Sequence, residues 1–161
     1  MSFILSAQRC DDVVRAFEQY RTYLQSVRQS LPESVFALAS SDWYFSPEDP
    51  WCPHDARLQN ISISESRTGN GRNVSSTAIR IHLVNAHDDG VIELFYPHVF
   101  NYSLNATVAS SGHRDWRYDE FRLSDHGNVV HEIEWWGPGE TARWIIEASD
   151  VHFQWHPGGY E

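Results

Sequence analysis

The chain has 161 residues, 22 acidic and 12 basic side chains, a formal net charge of −10, and an aromatic fraction of 14%. That balance excludes nucleic acid, whose phosphates need clustered Lys and Arg, and disfavours an anionic membrane surface; an acidic field instead draws a basic protein partner and speeds its encounter. The aromatic content excludes a disordered chain, and a domain of this length buries roughly 70% of its unfolded surface, enough to need no disulfide or structural metal.

The opening Met1-Ser-Phe-Ile-Leu-Ser6 has neither the basic start nor the apolar run of about 7–15 residues of a secretory signal. No stretch approaches the roughly 18 apolar residues of a membrane span. Cys10 and Cys52 read as reduced thiols of a cytoplasmic protein. The triplets starting at Asn60, Asn73, Asn101 and Asn105 then read as strand and turn composition rather than glycosylation sites.

Cys10, Val13, Phe17, Tyr20, Leu24, Val27 and Leu31 recur at alternating spacings of three and four, which predicts one long amphipathic helix of about six turns. Asp11 and Asp12 fall where its first turn begins. Its stripe is expected to pack on the sheet face carrying Ile79, Ile81 and Leu83. Pro32 and Glu33 signal a second, short helix through Val35, Phe36, Leu38 and Ala39. Pro47, Pro50 and Pro53 then forbid regular structure and predict a loop rich in aromatic side chains.

From Ala56 the period changes to two. Leu58 to Ile63, Thr77 to Leu83, Val91 to Tyr96, Trp116 to Leu123, Val129 to Trp136, Ala142 to Ala148 and Val151 to Trp155 predict strands, with Val99 to Leu104 continuing beyond Pro97. Short Gly, Asn and Asp turns between them predict antiparallel meanders. The expected fold is therefore α+β. A long N-terminal helix and a short one pack on a mostly antiparallel sheet of about seven strands, in one domain: 1–40 helical, 41–55 loop, 56–156 meander.

Candidate chemistry is sparse. Trp51-Cys-Pro-His-Asp55 could offer Cys52, His54 and Asp55 to a metal, or Cys52 as a nucleophile, but it is a single cluster where structural zinc needs paired ones. The ordinary role for Asp55 is a side chain that accepts backbone N–H bonds in the turn before the first strand. His131-Glu-Ile-Glu-Trp135 lacks the second His of a zinc-protease helix. On a strand it puts His131, Ile133 and Trp135 on one face and Glu132, Glu134 and Trp136 on the other, where the two acids read as a solvated face or as acid/base groups. No catalytic residue, metal ligand set or cofactor is assigned.

The order of these features resembles a group of small uncharacterised bacterial domains: a helix, Leu31-Pro-Glu33 with a short helix, His54-Asp-Ala56 entering a strand, then a meander. The resemblance implies the fold and a bacterial origin, and carries no activity, cofactor or catalytic residue.

Three functions compete. The first is a non-enzymatic, immunity-like protein that docks a basic partner through acids and the loop aromatics Trp43 and Trp51. The second is an enzyme or small-ligand binder near His54 and Asp55, with an acid from Glu132 or Glu134. The third is a carbohydrate-binding module using Trp43, Trp51 or Trp136.

Overall fold

Asp12 starts the first helix as its N-cap: its carboxylate accepts the Arg15 backbone N–H at 3.0 Å, and α1 runs Val13–Val27. The structure, a computed structural model, describes residues 1–6, 11–68, 74–106, 112–137 and 140–158, so Cys10, the turn at 69–73, Ser110 and the Pro138-Gly139 turn fall outside it. The helix is shorter than the stripe predicts. Ser30 and Leu31 both return their N–H groups to the Val27 carbonyl in a closing turn, and Pro32 keeps Leu31 out of helical geometry. Val13 and Val14 lie exposed, whereas Ala16, Tyr20 and Leu24 are buried. After Pro32, α2 (Glu33–Ala39) forms as its start signal predicts, and Ser34 hydrogen-bonds Asp150.

Among the described residues eight strands follow, close to the about seven expected: β1 (Arg57–Thr68), β2 (Val74–Val84), β3 (Gly90–Tyr96), β4 (Val99–Leu104), β5 (Asp115–Leu123), β6 (Val129–Gly137), β7 (Glu140–Ala148) and β8 (His152–Pro157). They form one antiparallel sheet in the order β4-β7-β6-β5-β1-β2-β3-β8. The additional strand is β4. It does not continue β3; beyond Pro97 the chain turns and pairs with β7.

The sheet consists of two four-stranded halves joined by a thin seam. Between β1 and β5 the only paired residues described are Arg57 and Asp115. The chain crosses between the halves at two corners, β3 to β4 and β7 to β8, which are tied by the Ser149 N–H to the His98 carbonyl at 2.8 Å. Strand register places Ile79, Ile81 and Leu83 opposite Tyr96, Leu94 and Ile92 in one half. In the other, Trp116, Asp119 and Phe121 lie opposite Trp135, Ile133 and His131. These inner faces and the helices share one core.

The stripe of α1 docks chiefly along β5, not on the face of β2. Among the described residues β5 has no strand partner on that side past the seam, and Tyr20 substitutes for one: its hydroxyl donates to the Phe121 carbonyl at 2.9 Å and accepts the Phe121 N–H at 2.7 Å. Tyr23 likewise accepts the Leu123 N–H at 2.9 Å. Leu24 joins the core that includes Ile79, Ile81 and Leu83. Leu24→Ala is therefore expected to cost about 2–5 kcal/mol in chemical unfolding, and Phe17→Ala less, since its ring is half-buried. Losses below about 0.5 kcal/mol at both would show the stripe to be unpacked.

On the outer face of β2, β3 and β8, Glu93 is held by Arg80 and accepts from His82 Nε2 at 3.1 Å and His156 Nε2 at 3.0 Å. Burial alone would raise this carboxyl, but the two histidine bonds and the Arg80 charge outweigh it and hold Glu93 below the usual carboxylate range. A depressed carboxyl stabilises the fold fully above the unfolded value of about 4.3 and loses that contribution as pH falls through the lower folded value. Glu93→Gln should accordingly flatten the stability-versus-pH slope below about pH 4.3. An unchanged slope would remove Glu93 from the acid limb. Among the described residues no helix is long and apolar enough to cross a membrane.

Candidate functional site

The segment between α2 and β1 is a chain of turns without helix or strand, as its prolines predict. It is nonetheless anchored. Buried Asn85, at the turn between β2 and β3, donates through Nδ2 to the Pro50 carbonyl at 3.0 Å and to Asp89 Oδ1 at 2.6 Å, while its Oδ1 accepts the Asp89 N–H at 3.1 Å. Gly90 completes the turn, because a Cβ there would meet the Trp155 ring at 2.3 Å. His87 Nε2 donates to the Pro47 carbonyl at 3.3 Å. Loop and turn thus form one rim carrying Glu48, Asp49, Asp55, Asp88 and Asp89, with Arg57 paired to Asp88.

Trp51 stands on this rim 42% exposed, and its ring meets Trp43 edge-on at 5.5 Å. Trp43 is half-buried against Phe153 at 4.9 Å, so it supports Trp51 rather than offering a free face. Trp136 lies on the outer face of β6, also exposed, beneath the Arg117 guanidinium at 5.6 Å.

Asp55 does not cap the turn as expected. The described contact of its carboxylate is an ion-pair distance of 3.5 Å to His54 Nε2. What Asp55 supplies is backbone: φ of 63° lies in the left-handed region, and its N–H donates to the Trp116 carbonyl at 2.8 Å while Trp116 N–H returns to the Ala56 carbonyl at 2.9 Å. Asp and Asn tolerate that region and Gly favours it. We expect Asp55→Asn to be neutral and Asp55→Gly neutral or stabilising, with Asp55→Ala costing about 1 kcal/mol from the backbone alone. Thermal melts of the three variants check this order; a Gly variant weaker than Ala would return the role to the carboxylate.

His54 is fixed from the other side. β5 carries a bulge between Trp116 and Tyr118, and the extra residue, Arg117, turns its carbonyl out of the ladder, where His54 Nδ1–H donates to it. Cys52 is buried, with its Sγ on the Tyr44 carbonyl at 3.0 Å, and burial pushes its thiol up to about 12. It is a poor nucleophile and a poor metal ligand, since both roles need the thiolate. His54 and Asp55 face each other while Cys52 turns away to the Tyr44 carbonyl, and among the described residues no group of three His, Cys, Asp or Glu side chains is arranged to hold a metal ion.

Glu132 and Glu134 share the outer face of β6, as the alternation predicts, but that face is not solvated. Glu134 is buried and pairs with Arg143 at 2.9 Å; Glu132 pairs with Arg143 at 3.0 Å and Arg122 at 2.7 Å. The N-terminal segment covers the neighbouring acid: Glu120 accepts the Phe3 and Leu5 N–H groups, both at 3.1 Å to Oε2, and pairs with Arg122. Arg143 also donates to the Leu5 carbonyl at 3.1 Å. These carboxylates hold a strap and are committed to arginines. They do not join His54.

Beneath the loop lies a polar chain that sequence reasoning missed. Asp119 Oδ2 accepts from the Tyr44 hydroxyl at 2.5 Å and from His131 Nε2 at 2.7 Å, and Oδ1 accepts from Trp116 Nε1 at 3.0 Å. Tyr96 OH closes the chain on His131 Nδ1 at 2.6 Å. All five residues are buried, and Phe121 stacks on His131 at 4.0 Å. Burial raises the Tyr44 and Tyr96 phenols well above their ordinary value, so both stay neutral. The chain links the loop through Tyr44, one half-sheet through Asp119 and His131, and the other through Tyr96. The sequence signal was His131 on the same face as Ile133 and Trp135, a polar residue in an apolar row.

A small cavity of about 120 Å³ opens above Asp119, between His54, Tyr118 and the Phe17 and Phe45 rings. It brings His54 and Asp119 to one space, without Trp43, Trp51, Asp55, Glu132 or Glu134. Comparison with protein-family models, with curated proteins and with solved structures finds no match to the chain.

Proposed function

We propose that this chain is a non-catalytic binding protein, immunity-like in its logic, that docks a basic protein on the rim formed by residues 40–56 and the turn at 85–90. The observation that carries the reading is Trp51. A large ring 42% exposed, propped by Trp43 on a loop-and-turn rim that also carries Glu48, Asp49, Asp55, Asp88 and Asp89, combines an aromatic anchor with acids on the same rim. The Asn85 bonds hold that surface in shape before a partner arrives, which lowers the entropy cost of docking. The net charge of −10 speeds the encounter.

The test captures partners on the immobilised chain and measures each affinity against salt. A basic partner is expected, bound more weakly as salt rises, with Trp51→Ala weakening it at least about 30-fold, the scale of a hot-spot residue. Asp88→Asn with Asp89→Asn should slow association and leave dissociation unchanged. A partner that is neutral or acidic, or indifferent to Trp51, would end this reading.

The small-ligand reading keeps one supporting observation, the cavity that His54 shares with Asp119. At about 120 Å³ it is well below the roughly 300–1,000 Å³ of a drug-sized site. The buried Tyr44–Asp119–His131–Tyr96 chain also has no member open enough to meet a substrate of ordinary size.

A further inference from the structure

We propose that Asn60, Asn101 and Asn105 are sites of N-linked glycosylation, and that the attached sugars cover the open edges of the sheet. The proposal goes beyond the partner reading and uses neither Trp51 nor the rim acids. Four of the chain's seven asparagines open Asn-x-Ser/Thr triplets: Asn60, Asn73, Asn101 and Asn105. Composition can account for the triplets in the sequence, but not for where they fall in the fold. Asn73 and Thr107 lie outside the described residues. The other three asparagines, Asn60, Asn101 and Asn105, are all exposed, and none of the described hydrogen bonds ends on their side chains. The described asparagines outside triplets are the reverse. Asn85 is buried and spends its amide on Pro50 and Asp89, and half-buried Asn128 donates to Glu147.

Each of these triplets sits on a strand edge without a described partner. β4 ends the strand order, and β1 past Arg57 pairs with no described strand on the side away from β2. Open edges invite other chains to add a strand, and proteins blunt them with charge, proline or a covering group. β4 lacks the first two. From Val99 to His113 the chain has no Asp, Glu, Lys, Arg or Pro, although 21% of the whole is charged, and Phe100 and Tyr102 stand 60% and 44% exposed. β1 is likewise uncharged from Leu58 to Ser64. β8, at the other end of the sheet, carries His152, His156 and Pro157 and no triplet. Residues two apart on a strand share a face, so Asn60 stands beside Ser62 and Asn101 beside Ser103, each amide near the hydroxyl that completes its triplet, all four exposed. The Asn105 backbone is tied to β7, its N–H to the Arg143 carbonyl at 3.3 Å and its carbonyl to Trp144 Nε1 at 3.1 Å, with the side chain left at the end of β4.

The reaction is a substitution at the anomeric carbon of a sugar activated by a diphosphate. The asparagine Nδ2 attacks that carbon and an N–C bond forms. The C–O bond to the diphosphate breaks, the diphosphate leaves with the electron pair, and Nδ2 gives one proton to a base of the transferring enzyme. Two sources supply such a donor: an oligosaccharide on a lipid diphosphate, or a single hexose on a nucleotide diphosphate. The fold decides which asparagines can keep the product. At Asn85 a sugar would force a large hydroxylated group into the core. At Asn60, Asn101 and Asn105 it meets solvent and adds a bulky polar group beside an edge that has no other cover.

The experiment is intact-mass measurement and peptide mapping of the full chain recovered from the cells that make it. Added sugar is expected on Asn60, Asn101 and Asn105, with Asn85 and Asn128 bare. An attached oligosaccharide marks the lipid-linked donor and a single hexose the nucleotide donor; either one sustains the proposal. Sugar on Asn101 or Asn105 is required: bare amides at both overturn the proposal, whatever stands on Asn60. Ser103→Ala combined with Asn105→Gln, made in the same cells, should lose both β4 sugars while adding no charge to the strand. Circular dichroism checks that the fold is kept. Light scattering should then show association that rises with concentration, where the wild type stays monomeric. A folded variant that has lost these sugars and still scatters as the wild type does overturns the covering of the β4 edge.

Discussion

Asp119→Ala is expected to lower the unfolding free energy by about 3–5 kcal/mol, the range for removing one member of a buried charged set. The loss does not come from packing, because Asp119 contributes little apolar surface. It comes from three donors left in a dry interior: the Tyr44 hydroxyl, the Trp116 indole N–H and the His131 imidazole N–H. Each unpaired buried donor costs about 1–3 kcal/mol. The sum is reduced because Tyr44 can turn and His131 can change tautomer. Asp119→Asn should fall between wild type and alanine: it keeps one acceptor oxygen but presents an NH₂ to groups that also donate. Urea unfolding followed by fluorescence measures all three. A loss below about 0.5 kcal/mol for alanine, the level of an ordinary surface substitution, would show that the chain of hydrogen bonds is ornamental to stability.

Tyr20→Phe is the second large effect, at about 2–4 kcal/mol for the removal of a single oxygen. Phenylalanine keeps the ring and its contacts with Phe3 and Phe45. What disappears is the hydroxyl that serves both the N–H and the carbonyl of Phe121, on the side of β5 away from β6, where no described strand pairs with it. Two backbone groups would then be buried and unsatisfied. Tyr23→Phe supplies the comparison: it removes one bond, to the Leu123 N–H, at a half-buried site that water can reach, so about 1 kcal/mol or less is expected. Amide hydrogen exchange gives a readout specific to the mechanism. The Phe121 amide should lose protection in Tyr20→Phe, and if it does not, the hydroxyl is not its partner in solution.

Much of the fold was legible because period and punctuation are local properties. Pro32 followed by Glu33 placed α2, and the alternation of Ile79, Ile81 and Leu83 placed the core face of β2. The end of α1 was less legible, since Leu31 kept the stripe's spacing while Pro32 had already taken it out of the helix. The docking of α1 was not legible at all. Apolar spacing says that a face is buried, and it does not say that Tyr20 and Tyr23 will use their hydroxyls on the edge of β5.

The candidate site divided the same way. The loop with Trp43 and Trp51 could be read from its prolines, and the Glu132/Glu134 face from alternation, but the arginines that bury that face come from β5 and β7 and no local pattern announces them. Asp119 was hidden by the bulge at Arg117. Strict alternation from Trp116 sends Tyr118 and Glu120 inward and Asp119 outward; one extra residue reverses the assignment and turns Asp119 toward the core. A bulge leaves little trace in a sequence without a glycine to mark it.

The thin seam between the half-sheets bears on how the chain reaches this fold. β1, β2 and β3 are consecutive and can pair by short hairpins, but the outer edge of β3 is completed only by β8, with Gly90 against Pro157 and Phe95 against His152. Until that late segment docks, β3 presents Ile92 and Leu94 beside a row of unpaired backbone groups, the kind of template on which other chains nucleate. The intervening strands form the opposite half, whose described strand pairing across the seam is Arg57 with Asp115, at the far side of β1 from that edge. Pairing over so long a stretch of chain is slow. The strand order therefore leaves this edge of β3 open until β8, the last described strand, has docked.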